Sequence, residues 1–103
     1  MIDVVKIAKA LSDPIRYEIL KFLVRRDAEP GAELVSNCCS GLCNCDIMQV
    51  FGLIQSRVSY HMRELVDAQL VIEEQRGKWK YYYPNYQILK DYVKQIEANF
   101  LQR

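Results

Sequence analysis

Apolar residues recur at helical spacing over residues 3–11, where Val4, Val5, Ala8 and Leu11 form a stripe and Lys6 and Lys9 turn away from it. Ser12-Asp13-Pro14 closes that helix and opens the next. Asp13 suits an N-cap, and Pro14 suits the first helical position, where its missing N–H costs no hydrogen bond. The second helix runs from Pro14 to about Arg25, burying Ile15, Ile19, Leu20, Leu23 and Val24, with Arg16, Lys21 and Arg25 outside the stripe. A breaker-rich connection follows, Asp27-Ala28-Glu29-Pro30-Gly31, and continues past Ser36 into a run of cysteines. Linkers this long in small domains are usually functional or mobile.

Asp46-Ile47-Met48-Gln49 reads as a capping box, an acidic cap with glutamine three residues on, opening a short third helix that ends at Gly52. A fourth helix begins after Leu53 and reaches about Ala68. Val58, Met62, Leu65 and Val66 share one side of it, Ser56, Tyr60 and Arg63 the other, with Arg57 and Glu64 beside them. Two short helices around a glycine turn make a helix-turn-helix over about 46–68. Residues 70–75 and 79–83 are rich in β-branched and aromatic types and flank Arg76-Gly77-Lys78, which predicts a wing hairpin over about 70–83. From Tyr86 onward Leu89, Tyr92, Val93, Ile96 and Phe100 form a last helical stripe. The expected fold is mainly α with a small β-hairpin (α+β), a winged helix-turn-helix in a single domain over 1–103. Helices at about 3–11 and 86–102 carry more apolar surface than one core needs, and are expected to form a dimer interface.

With half of its 103 residues apolar and 26% charged, the chain supports one core and excludes a disordered tail. No apolar run reaches the roughly 18 residues of a membrane span, and the start Met1-Ile2-Asp3-Val4-Val5-Lys6 lacks the form of a secretory signal. The expectation is a soluble cytoplasmic protein. Net charge is +1, divided as −1 over residues 1–54 and +2 over 55–103, so nucleic-acid binding must rest on local clusters and a dimeric footprint. A recognition helix followed by a basic wing supplies such clusters. Gln55, Ser56, Arg57, Ser59, Tyr60 and Arg63 are types that contact base edges and phosphates, and Arg76, Lys78 and Lys80 tip the wing. His61, at the border of the two sides, is open to two readings, a phosphate contact or a packed core histidine.

All four cysteines, Cys38, Cys39, Cys43 and Cys45, fall within eight residues. Bridges between neighbours or next-neighbours close only small, strained rings, so a disulfide framework is not expected. Clustered thiols instead suit a soft ion or redox chemistry, although free cysteines also serve as small buried hydrophobes. There is no C-x-x-C spacing, nucleophile–base constellation or phosphate-cradling glycine loop. An enzyme is not expected.

Residues 10–23 resemble the opening motif A-L-x-D-x-x-R-x-x-I-L-x-x-L of the ArsR–SmtB family of metal-sensing repressors, and Leu42-Cys-Asn-Cys-Asp46 resembles its metal box L-C-x-C-D. Residues 52–62 resemble its recognition element and residues 76–81 its wing. The resemblance spans nearly the whole chain and implies a homodimeric repressor that binds a palindromic operator on double-stranded DNA and releases it when a metal or metalloid binds. Within the family pattern, Ile54 stands where a serine is common, and Met48 stands where arsenic-sensing relatives often carry a third cysteine. The last helix has no histidine and cannot form the family's Asp–His site.

The expected effector is trivalent arsenic or antimony held by Cys43 and Cys45, with Cys39 or Cys38 as a further donor; Cd²⁺ or Zn²⁺ are alternatives. A thiol-based redox or persulfide response is the alternative regulatory reading. Residues two apart diverge by roughly 200° on an α-helix but share a side in extended chain, so chelation by Cys43 and Cys45 is incompatible with ideal helix there. If the third helix extends back over Cys43–Cys45, binding must unwind that turn; if Asp46 is its cap, binding instead fixes the linker, and either route moves the helix that positions the recognition helix.

Overall fold

Asp3 and Asp13 start the first two helices of the computed structural model, which describes residues 2–28 and 42–102. Asp3 accepts the Lys6 N–H at 3.0 Å and begins α1 (Val4–Leu11). Asp13 accepts the N–H groups of Ile15 and Arg16 at 2.8 and 3.3 Å and begins α2 (Pro14–Ala28), the cap its sequence position predicts. α2 runs past its expected end near Arg25. α1 also faces differently from its predicted stripe: Ile7 and Ala10 are buried and Val4 and Leu11 half-buried, whereas Val5 and Ala8 are exposed. The row Val4–Ile7–Leu11 advances in steps of three and four, which follows the helical turn better than Val4–Val5–Ala8.

The chain then forms β1 (Leu42–Cys43), α3 (Asn44–Phe51), α4 (Gln55–Asp67), β2 (Val71–Arg76), β3 (Trp79–Pro84) and α5 (Tyr86–Ile96), which continues as a π-helical stretch over Glu97–Leu101. The expected hairpin is present, its tight turn carried by Gly77 at φ +60°. β1 adds to the open edge of β3, giving an antiparallel sheet in the order β1-β3-β2 with Leu42 opposite Tyr82 and Cys43 opposite Tyr81. The fold is thus mainly helical with a small three-stranded sheet, a winged helix-turn-helix.

α3 ends on Gly52 at φ +64°, and the Leu53 N–H returns to the Met48 carbonyl at 3.1 Å. α4 ends in the same kind of motif, with Gln69 at φ 65° and the Leu70 N–H bonded to the Leu65 carbonyl at 3.0 Å. These two tight stops place α3 and α4 over one core, in which Ile19, Leu23, Ile47, Val58, Met62, Leu65 and Leu70 are buried. α5 has no buried residue. Its start is tied to the end of α2 by the Tyr86 hydroxyl donating to Asp27 at 2.8 Å, while Val93, Phe100 and Leu101 stand exposed. Among the described residues, no helix is long and apolar enough to cross a membrane.

Candidate functional site

α4 divides cleanly into two sides. Val58, His61, Met62 and Leu65 are buried, and Gln55, Ser56, Arg57, Ser59, Tyr60 and Arg63 are exposed. The exposed set is the predicted reading surface without His61. That histidine lies inside, 2% exposed, with Nδ1 3.2 Å from Arg16 Nη1. A guanidinium only donates, so Nδ1 accepts and the imidazole proton belongs on Nε2. Nε2 is itself buried without a hydrogen-bond partner among the described residues. Burial holds the imidazole below the ordinary histidine pKa; Arg16 and Arg57 act in the same direction, against Asp13 and Glu64.

Arg16, expected outside the stripe of α2, is instead 7% exposed. Its Nε donates to the Ala10 carbonyl at 2.7 Å and its Nη2 to the Lys9 carbonyl at 3.5 Å, which satisfies the C-terminal end of α1. Asp13 lies 3.8 Å away, and the Tyr60 ring centroid is 5.8 Å from the guanidinium carbon. One buried cation thus ties α1, α2 and the recognition helix together. The available signal was spacing: Arg16 precedes Ile19, Leu20 and Leu23 by three, four and seven residues, the helical repeat of one face.

In the wing, Arg76 Nε bonds Glu74 Oε1 at 2.9 Å, and its guanidinium lies 4.2 Å from the centroid of the Tyr81 ring. Arg76 Nη2 also contacts the Tyr83 hydroxyl, which donates to Glu74 at 2.8 Å. Those bonds from Tyr83 and Arg76 hold the Glu74 carboxyl below its usual range. Arg76 therefore braces the hairpin from within. Lys78 stands at the tip, 5.8 Å from the ring centroid of the half-exposed Trp79, and Lys80 pairs with Glu73 at 3.8 Å. Ser59 and Arg63 of α4 and Lys80 of β3 line a cleft of about 330 Å³ between helix and wing, together with Asp67 and Glu73.

The thiols meet at the base of this module. Cys43 is the N-cap of α3 in extended conformation (φ −82°, ψ 162°), so the helix begins ahead of the expected cap, Asp46. Asp46 is the third helical residue, and its Oδ2 accepts the Cys43 N–H at 3.4 Å. This closes the box one turn earlier than Asp46 with Gln49. Cys43 is 1% exposed and Asp46 2%, while Cys45 is half-buried. Because Cys43 is extended and Cys45 helical, the two side chains converge across the start of the helix.

Contrary to the expectation that next-neighbours stay unbridged, Cys43 and Cys45 are joined as a disulfide, with Cα atoms 5.4 Å apart. One ligand atom each from Cys43, Cys45 and Asp46 lies within 4.8 Å of the others. Reduction would leave two soft sulfurs and one carboxylate oxygen facing a common point. Cys38 and Cys39 lie outside the described residues.

Comparison with known proteins gives the family and the fold. Residues 33–73 match the family model for bacterial regulatory proteins of the arsR family. An arsenical resistance operon repressor of Staphylococcus xylosus is 37% identical over 86% of this chain and 71% of its own length. One of Bacillus subtilis (strain 168) is 36% identical over 72% of this chain, and the match spans 58% of that protein. The solution NMR structure of a homodimeric winged helix-turn-helix DNA-binding domain from Mycobacterium bovis, a possible ArsR-family regulator, aligns with a TM-score of 0.66 at 19% identity, covering 96% of this chain and 82% of that one.

Proposed function

The chain is a member of the bacterial arsR family of regulatory proteins, and on that premise we propose a homodimeric repressor that leaves a palindromic operator when Cys43 and Cys45 bind trivalent arsenic or antimony. The observation that carries this reading is the convergence of both sulfurs at the cap of α3. Two soft donors suit a thiophilic trivalent centre, with Cys38 or Cys39 as third ligand; Cd²⁺ and Zn²⁺ are the alternatives at the same thiolates. The names of the arsenical-resistance relatives support arsenic. Binding uses the reduced thiols: two S–H protons leave with two hydroxides of arsenous acid as water, and two As–S bonds replace two As–O bonds.

On DNA, the exposed residues Gln55, Ser56, Arg57, Ser59, Tyr60 and Arg63 face a major groove, and Lys78 and Lys80 reach the flanking backbone. Arg76 holds the wing in shape and His61 holds α4 against Arg16. Val5 of α1 and the exposed Val93, Phe100 and Leu101 of the last helix join the protomers.

Release follows from the double role of Cys43 as cap of α3 and strand partner of Tyr81. Drawing both sulfurs onto one centre constrains the backbone at that junction, and with it both elements that touch DNA. Moving the bound fraction from 99:1 to 1:99 takes ~5.5 kcal/mol, part of the ~10–16 kcal/mol available to thiolate-rich sites.

A redox-responsive repressor is the second reading, favoured by the Cys43–Cys45 disulfide: a peroxide taking two electrons and two protons from the thiols closes the same sulfurs. One experiment separates the two. Arsenite, antimonite, Cd²⁺, Zn²⁺ and hydrogen peroxide are titrated separately into reduced protein bound to a duplex selected from a random library, with anisotropy as readout. Release by arsenite that is lost in Cys43→Ser and Cys45→Ser, both still binding DNA, is expected. Release by peroxide alone transfers the function to redox sensing. A full arsenite response in either variant overturns the ligand assignment.

A further inference from the structure

Ile54 occupies the position where the recognition helix begins. Its carbonyl accepts the N–H groups of Arg57 and Val58, each at 3.1 Å, so it is the N-cap of α4, yet its side chain caps nothing. Serine, threonine, aspartate and asparagine are strongly preferred there because their oxygens bond the free N–H groups of the first turn. Ile54 gives up that bond and gains no burial in exchange. It is 67% exposed, while the adjacent Leu53 packs against the core. The fold uses Leu53 and leaves Ile54 outside, next to the polar, exposed Gln55, Ser56 and Arg57. Two local preferences are broken at one residue, and such conflicts concentrate at functional surfaces.

We infer that Ile54 reads the 5-methyl group of a thymine in the major groove, making it a specificity-determining residue; the inference rests on the reading that α4 enters that groove. Three points of chemistry lead there. In a helix-turn-helix, the N-terminal residues of the second helix contact base edges. The thymine methyl is an apolar group on a major-groove edge otherwise lined with donors and acceptors. A β-branched side chain has few rotamers to lose on contact, so it meets a methyl at little entropic cost. The polar neighbours on α4 bring hydroxyl, amide and guanidinium groups suited to base edges and phosphates, whereas the exposed Ile54 side chain at the start of the helix is wholly apolar and matches a methyl.

The test compares thymine with deoxyuridine, which removes the methyl and leaves every hydrogen-bonding group in place. A duplex is selected from a random library with reduced wild-type protein, then remade with deoxyuridine at one thymine per half-site in turn, and Kd is measured by anisotropy at fixed salt. At one position wild type is expected to lose about fourfold in affinity per half-site, the effect of one methyl leaving an apolar contact. Ile54→Ser is expected to bind the thymine and uracil duplexes alike at that position, while its melting temperature rises by several degrees through the restored cap. Stability and discrimination then move in opposite directions, which a merely structural isoleucine does not produce. Uracil tolerated everywhere by wild type, or an Ile54→Ser protein that keeps the thymine preference, overturns the inference while leaving the groove reading intact. Failure of wild type to select any duplex overturns both.

Discussion

Cys43 and Tyr81 are backbone partners, opposite one another where β1 joins β3. Tyr81 carries the Arg76 guanidinium 4.2 Å from its ring centroid, and Arg76 in turn pairs across the hairpin with Trp79. The buried Cys43 is thus three contacts from the wing tip without passing through the body of α3 or α4. Trp79 is the single tryptophan of the chain. Arsenite added to reduced, DNA-free protein is therefore expected to change Trp79 emission and its quenching by iodide, saturating as the thiol pair fills. Cys43→Ser abolishes the change. An unaltered tryptophan signal, with arsenite binding verified by mass spectrometry, excludes the sheet as a route to the wing.

Asp46 tests the other route, through the cap of α3. Its carboxylate is buried and accepts the Cys43 N–H. Asp46→Ala leaves that donor buried without its acceptor, which costs about 1–3 kcal/mol. Asp46→Asn keeps an oxygen in place and is expected to cost less. Urea midpoints give the stabilities, and operator Kd without effector gives the consequence: Asp46→Ala weakens DNA binding even in the absence of arsenite. Equal midpoints for the two variants would show that the box does not hold the helix start.

The Arg16–His61 pair predicts an acid limb in stability. Burial depresses the His61 pKa in the folded chain, whereas the unfolded chain titrates near the ordinary value of about 6.5. Above that pH both states are neutral at His61 and nothing is gained or lost. As pH falls below it, the unfolded state takes up the proton first, so stability declines until the folded state also protonates, at no more than about 1.4 kcal/mol per pH unit. A second cation would then sit 3.2 Å from Arg16. His61→Asn, which keeps an acceptor but does not titrate, is expected to flatten the difference between urea midpoints at pH 5.5 and 7.5. An unchanged difference assigns the acid limb to other groups.

Helices, turn and wing were legible because each is specified locally. Asp13-Pro14 opens α2, Gly52 takes the left-handed stop between α3 and α4, and a β-branched arm and an aromatic arm around Gly77 form the hairpin. Features set by distant partners were not. β1 is two residues long and exists only because β3 offers it an edge. The cap of α3 moved from Asp46 to Cys43 because the Asp46 side chain turns back onto the Cys43 N–H, which periodicity does not register. Arg16 has the spacing of the buried face of α2, but the partners that let a cation lie there, the carbonyls of Lys9 and Ala10 and the ring of His61, come from outside that helix. The pairing of Cys43 and Cys45 likewise depends on the helix starting between them.

α5 carries the prediction about assembly. Val93, Phe100 and Leu101 are 57%, 75% and 71% exposed, and on α1 Val5 is 62% exposed. Burying a large apolar side chain is worth about 1.5–3 kcal/mol, so a face of this kind supports association when a second copy covers it. Val93→Glu with Phe100→Glu removes two such contributions from each protomer and introduces like charges across the interface. Sedimentation equilibrium is expected to give a dimer for wild type and a dissociation constant raised at least about a hundredfold in the double variant. The monomer presents one recognition helix and one wing with little net charge behind them, so its affinity for the selected duplex falls as well, and restoring protein concentration above the new dissociation constant recovers it. A double variant that stays dimeric at the wild-type constant places the interface elsewhere on the surface.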